Sequence, residues 1–241
     1  ALWAITIMAP GGELIVPQAE PPEHHGLLPV RPITLWSYTK MSDPRYTWGD
    51  RVIQLRHDSS MGPTKFGTLV EQGYAVASFD NRGTPAPRGR DWRRSVYRKI
   101  GMLASEDQAA ACRDLLKRYS FLDPSRVGVW GWSGGGSMSL NALFRYPDLY
   151  RTAVAVAPVA DQTLYNTIYQ ERYMGLPTDN ANGYRDGSPL THAYKLRGNL
   201  LLIHGTGDDN CHYQGTERLI DELVAKGKNF SVLPYPNRSH S

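Results

Sequence analysis

The chain has 241 residues, of which 41% are hydrophobic and 21% charged, a composition that suits one globular domain with a substantial core and leaves little room for a second. Its net charge of +4 is modest, and much of the local basic excess lies in one run, RGRDWRRSVYRK at residues 88–99. Nucleic-acid binding needs a broader basic footprint, so that run reads as a solvated loop or packing surface. No apolar run approaches the roughly 18 residues of a membrane span, and Cys112 and Cys211 are too few for a disulfide framework and read as free thiols.

In chain order, residues 1–68 come first, rich in proline, tryptophan and arginine and without a clean period. Their opening ALWAITIMAP has the apolarity of a signal-peptide core but no basic segment before it, and reads as a cut or irregular terminus. ITLWSY (33–38) and RVIQL (51–55) fit short strands, and residues 1–68 as a whole are expected to share one domain with residues 69–241. From residue 69 the punctuation is regular. YAVASF (74–79) reads as a buried strand, and Ser105 with Gln108 has the spacing of a capping box ahead of a helix whose Ala109, Cys112, Leu116 and Tyr119 share a face. RVGVWG (126–131) is a strand, residues 134–146 a helix, and TAVAVA (152–157) and NLLLIH (199–204) two further strands. Leu219, Ile220, Leu223 and Val224 stripe another helix, and FSVLPY (230–235) closes the series. Strands alternating with helices predict an α/β fold, a mostly parallel sheet with helices on both faces.

One stretch carries chemistry. Gly131-Trp132-Ser133-Gly134-Gly135 is a G-x-S-x-G motif between a strand and a helix, the setting of a nucleophile elbow. Glycines fit where a tight turn crowds its flanks, and the helix start behind Ser133 aims backbone N–H groups at developing negative charge. A serine hydroxyl needs a base to take its proton and a carboxylate to orient that base, and in this fold they come in the order acid, then histidine. The loop GTGDDN after the NLLLIH strand supplies Asp208, favoured because Gly205 and Gly207 allow a sharp turn before it, with Asp209 as the alternative. PNRSHS after the last strand supplies His240. A metal set of His204, Asp208 and His212 lacks any standard ligand motif, so these histidines read as structural and no metal or cofactor is expected.

The strings SFDNRGT, GWSGGG, VAPV, YNTIYQERYMGLP, LLIHGTGDDNCHYQGT and YPNRSHS, in this order over about residues 69–241, resemble the catalytic domain of the prolyl oligopeptidase family of serine peptidases, in its dipeptidyl-peptidase-IV-like branch. The resemblance implies an α/β-hydrolase fold over residues 69–241 and a triad of Ser133, Asp208 and His240. It further implies an S1 pocket with Val159, Tyr165 and Tyr169, and Asn210 as a ligand for a substrate carbonyl. By spacing alone Tyr165 and Tyr169 are i and i+4 on a helix, a spacing more often core than site, and Glu171 and Arg172 beside them are candidates for a structural ion pair.

Three departures accompany the resemblance. The family's aromatic-Gly-Gly-Pro segment, whose tyrosine donates to the oxyanion, corresponds here to LWSYTKMSDP, with Tyr38 the nearest equivalent and Gly134 N–H the other oxyanion donor. The family's β-propeller has no counterpart in these 241 residues, so selectivity for dipeptides is not implied. Only one residue comes after His240, which sets the expectation of a loosely held base. The expected activity is hydrolysis of peptides after proline or a similarly small residue, with a carboxylesterase and a weakly active or non-catalytic hydrolase-like module as alternatives. Peptide is the expected partner, with no nucleic acid and no membrane, and self-association into a homo-oligomer is left open. Periplasm or cytoplasm would suit a bacterial relative.

Overall fold

The computed structural model describes residues 4–8, 47–48, 51–54, 74–84, 88–120 and 122–240. Its strands are β1 (Ala4–Met8), β2 (Thr47–Trp48), β3 (Arg51–Gln54), β4 (Tyr74–Asp80), β5 (Val127–Trp132), β6 (Thr152–Val156), β7 (Asn199–Gly205) and β8 (Ser231–Tyr235). Its helices are α1 (Gly89–Arg94), α2 (Leu103–Arg118), α3 (Gly134–Arg145), α4 (Thr167–Met174), α5 (Ala181–Gly187) and α6 (Tyr213–Ala225). The strands form one sheet in the order β2-β3-β4-β1-β5-β6-β7-β8.

From β5 to β8 every pairing is parallel, whereas β1 pairs antiparallel with both β4 and β5, and β3 antiparallel with β2 and β4. Six strands therefore run one way, with β1 and β3 against them. The expected strand at residues 33–38 lies outside the described residues; the one at 51–55 is β3.

The parallel half arises directly from its sequence. VGVWGW, TAVAV and NLLLIHG are nearly continuous apolar runs, as strands covered on both faces must be. Helix α3 packs on β5 and β6, burying Leu140, Leu143 and Phe144 completely, and each such side chain contributes about 1.5–3 kcal/mol. In α6, Leu219 and Leu223 are fully buried but Val224 is 64% exposed. One residue past Leu223 turns the helix by about 100°, which carries Val224 out of the stripe. Helix α2 buries Ala109, Cys112 and Leu115, with Leu116 and Tyr119 packed at the edge. Its start differs from the capping-box expectation: Ser105 lies inside the helix, where its hydroxyl donates to the Gly101 carbonyl at 2.8 Å. Gln108 reaches across to Asn81 Oδ1 at 3.2 Å.

Both cysteines are buried and free. Among the described residues no helix is long and apolar enough to cross a membrane. Because β5, β7 and β8 share a direction, the loops at their C-terminal ends open on one rim of the sheet, where open α/β sheets place their sites.

Candidate active site

Ser133 is the hinge between β5 and α3. Its φ of 60° and ψ of −124° place it in a region that an L-residue rarely adopts, at a cost on the order of 1–3 kcal/mol. The surrounding structure holds it there: its N–H donates to the Val156 carbonyl at 2.8 Å, which ties the turn to the neighbouring strand. The chain doubles back so tightly that a Cβ on Gly131 would stand 2.2 Å from the Gly135 carbonyl oxygen. Gly134 opens α3, so its N–H is among those left without an intrahelical acceptor.

The loops that carry Asp208 and His240 are laced together by the backbone. Thr206 N–H donates to the Tyr235 carbonyl at 3.0 Å and Gly207 N–H to that of Arg238 at 3.1 Å. Asn237 N–H donates to Thr206 Oγ1 at 2.9 Å. A Cβ on Gly205 would come within 2.2 Å of the Arg238 carbonyl oxygen. Neither Gly205 nor Gly207 has a positive φ, so at Gly205 the small residue serves close approach of the next loop, not the sharp turn expected from the sequence.

Across this seam, His240 Nε2 stands 2.9 Å from Ser133 Oγ and His240 Nδ1 2.7 Å from Asp208 Oδ2. A carboxylate only accepts, so Nδ1 carries the proton and Nε2 faces the serine with its lone pair. Asp208 is 4% exposed, and its Oδ1 accepts from the N–H groups of Asn210 and Cys211 at 2.9 and 2.8 Å. Burial pushes the Asp208 carboxyl up, but the hydrogen bonds from His240 and these two amides outweigh it and hold it below the ordinary value. Asp209 is exposed.

Three supporting contacts have no sequence pattern to announce them. His204, 1% exposed, directs Nε2 at Asp208 Oδ2 (3.1 Å) and at the Cys211 carbonyl (2.8 Å), and Nδ1 at Thr216 Oγ1 (2.7 Å). Since both partners of Nε2 accept, Nε2 is the donor and Thr216 donates to Nδ1. Burial lowers the His204 pKa against the opposing pull of the Cys211 carbonyl and Asp208, which suits a neutral ring. Trp132 stacks on His240, ring centres 5.2 Å apart, and its Nε1 donates to the His240 carbonyl at 3.1 Å. His240 is therefore clamped by Trp132, against the expectation that it is loosely held. Cys211 Sγ lies 3.9 Å from Ser133 Oγ, and burial pushes its thiol up to about 11, so it stays protonated beside the serine.

A cavity of about 490 Å³ opens at Ser133 and is lined by Val159, Tyr165 and Tyr169 among others. Tyr165 is not on a helix with Tyr169, as their spacing predicts. Asn166 is the N-cap of α4, its side chain accepting from Tyr169 N–H at 3.0 Å, which leaves Tyr165 extended just before it. The rings still meet edge to face at 5.4 Å. Tyr165 donates its hydroxyl to Asn210 Oδ1 at 3.0 Å, so the Asn210 amide NH₂ is left to donate elsewhere. Glu171 and Arg172 do not pair with each other among the described residues; Arg172 lies over the Tyr173 ring at 5.7 Å. His212 is exposed at the head of α6, apart from the His204–Asp208 contact. Tyr38 lies outside the described residues.

The chain is similar to several known proteins. Residues 60–241 match the prolyl oligopeptidase family. Human (Homo sapiens) dipeptidyl peptidase 8 is 36% identical over 255 aligned positions, covering 99% of this chain and 28% of that protein. Mouse (Mus musculus) prolyl endopeptidase FAP is 39% identical over 173, covering 70% and 22%. Among solved structures, Porphyromonas gingivalis dipeptidyl peptidase 4 superposes with a TM-score of 0.68 at 40% identity, over 71% of this chain and 24% of that one. The chain thus spans about a quarter of the length of these relatives.

Proposed function

Because this chain belongs to the prolyl oligopeptidase family, in its dipeptidyl-peptidase-IV-like branch, we propose that it is a serine peptidase that cleaves after proline or a similarly small residue through an acyl-enzyme. The observation that carries the proposal is the continuous chain from Ser133 Oγ through His240 to Asp208, with links of 2.9 and 2.7 Å. In the proposed mechanism His240 Nε2 takes the hydroxyl proton as Ser133 Oγ bonds to the substrate carbonyl carbon. The Gly134 N–H receives the oxyanion, and by sequence position a second donor falls to Tyr38. As the tetrahedral intermediate collapses, His240 returns the proton to the leaving amine, and water then cleaves the acyl-enzyme by the same steps. Asp208 keeps His240 in the required tautomer throughout.

Tyr165, Tyr169 and Val159 are proposed to receive the residue before the scissile bond, P1, because aromatic walls suit a rigid proline ring. The Asn210 amide would hold a substrate carbonyl. Residues 1–68 are proposed to belong to the same catalytic domain as residues 69–241, a reading supported by the pairing of β1 with β4 and β5. The test sets a proline dipeptide p-nitroanilide beside p-nitrophenyl acetate. Hydrolysis of both is expected; cleavage of the ester alone would make this a carboxylesterase.

A further inference from the structure

Resting on the peptidase proposal above, we infer that the cavity beside Ser133 takes, in addition to proline, a straight P1 side chain ending in a neutral amide N–H donor, as in glutamine, and that Gln170 reads it. The cavity's volume is about 490 Å³. A proline ring contributes only three methylene groups to such a space. The residue next to the nucleophile, Gly134, also lines the cavity and has no side chain to narrow it.

The lining includes two neighbouring amides, Gln162 and Gln170, which are 5% and 3% exposed. Their orientation is fixed by their partners. Gln162 Nε2 donates to the Ile100 carbonyl at 3.1 Å, so its Oε1 is an acceptor, and Gln170 Nε2 fills it at 3.0 Å. That leaves Gln170 Oε1, on a buried residue that lines the cavity, an acceptor open to a ligand. A ligand that brings a donor to this acceptor gains a hydrogen bond sheltered from bulk water.

The chemistry of the donor is set by the charges nearby. Arg82 lines the same cavity, and its guanidinium is held by Asp107 at 2.6 Å. A lysine ammonium would lose its hydration with no carboxylate of the described lining residues to face it. A glutamate would turn acceptor against acceptor at Gln170 Oε1, and Arg82 is already neutralised by Asp107. A neutral amide avoids both conflicts.

The test is a set of Ala-Xaa p-nitroanilides with proline, glutamine, methionine, glutamate and lysine at P1, assayed on the full chain. Methionine matches glutamine in length and lacks the donor. Glutamine is expected to exceed methionine, glutamate and lysine by about tenfold or more in kcat/KM. In Gln170→Met the glutamine-to-methionine ratio should fall to about one. The ranking on the unmodified chain decides the matter even if that variant fails to fold. If turnover is too slow to rank, protection of Ser133 from a fluorophosphonate by the same compounds supplies the order. Proline cleavage with methionine equal to or better than glutamine overturns this inference and leaves the peptidase proposal standing, as does a preference for glutamate or lysine. Failure of Ser133 to be labelled at all overturns both.

Discussion

The corner of Ser133, Asp208 and His240 and the cavity beside it share Ser133 but are built differently. Ser133, Asp208 and His240 ride on three strand-end loops that backbone hydrogen bonds bind together, from Ser133 N–H on Val156 to Gly207 N–H on Arg238. The cavity is instead assembled from side chains: Tyr165 against Tyr169, Gln162 against Gln170, Arg82 on Asp107. A frame made of backbone keeps its shape when a side chain is changed, so substitutions there should remove chemistry and leave the fold. A wall made of side chains has no such reserve, and substitutions there should change which substrate is preferred.

The sharpest break of that contrast is Ser133→Ala. Hydrolysis should fall by on the order of 10⁶ in kcat, with an unchanged melting temperature. His240→Ala should be about as damaging, and the double variant no worse than either single one, because the members of a triad act as a unit. A double variant far slower than both would place the base elsewhere.

Next in size is Asp208→Asn, which presents the wrong imidazole tautomer to Ser133 and should cost on the order of 10⁴ in kcat. The exposed Asp209, changed to Asn, should matter only a few-fold. Steady-state rates on the two variants check the ranking, and the reverse order would move the role to Asp209.

On the cavity side the effect is smaller and selective. Tyr165→Ala should lower kcat/KM for the proline anilide by roughly 10 to 200-fold and leave p-nitrophenyl acetate nearly unaffected. Equal losses on both would make Tyr165 part of the frame.

The mildest effect belongs to His204, which supports Asp208 without touching substrate. Burial depresses its folded pKa below the ordinary value, so its contribution to stability is complete above the ordinary histidine range, about 6.5, and is lost as pH falls toward the lowered value. Melting curves from pH 7.5 to 5 should drift downward in the wild type. In His204→Gln the drift should shrink, and kcat should fall more than KM rises. An identical drift in that variant would assign the acid sensitivity to other groups.

The same contrast explains what is legible in the sequence. Periodicity places β4 to β8, α2, α3 and α6 because each is a local pattern, and the elbow stands out because Gly131 and Ser133 meet steric demands within a few residues. What escapes is contact between distant positions. Trp132 stacking on His240 joins residues 108 apart, and nothing around His204 marks it as the neighbour of Asp208. A spacing of four from Tyr169 makes Tyr165 look helical. The asparagine between them competes for the cap and wins, since Asn166 Oδ1 satisfies Tyr169 N–H. Ser105 departs the other way: its hydroxyl bonds back to Gly101 from inside the helix. The amide pair at Gln162 and Gln170 has the look of ordinary solvated side chains in sequence, and its meaning lies wholly in its burial.

Activation of Ser133 by this corner is probed by a fluorophosphonate, because the reagent bonds to a serine only where a base has raised its nucleophilicity. Intact mass should show one phosphonyl group per chain, and peptide mapping should place it on Ser133. Labelling should vanish in His240→Ala and persist in Tyr165→Ala. No adduct on the folded wild-type chain, or an adduct on any serine other than Ser133, would contradict the account.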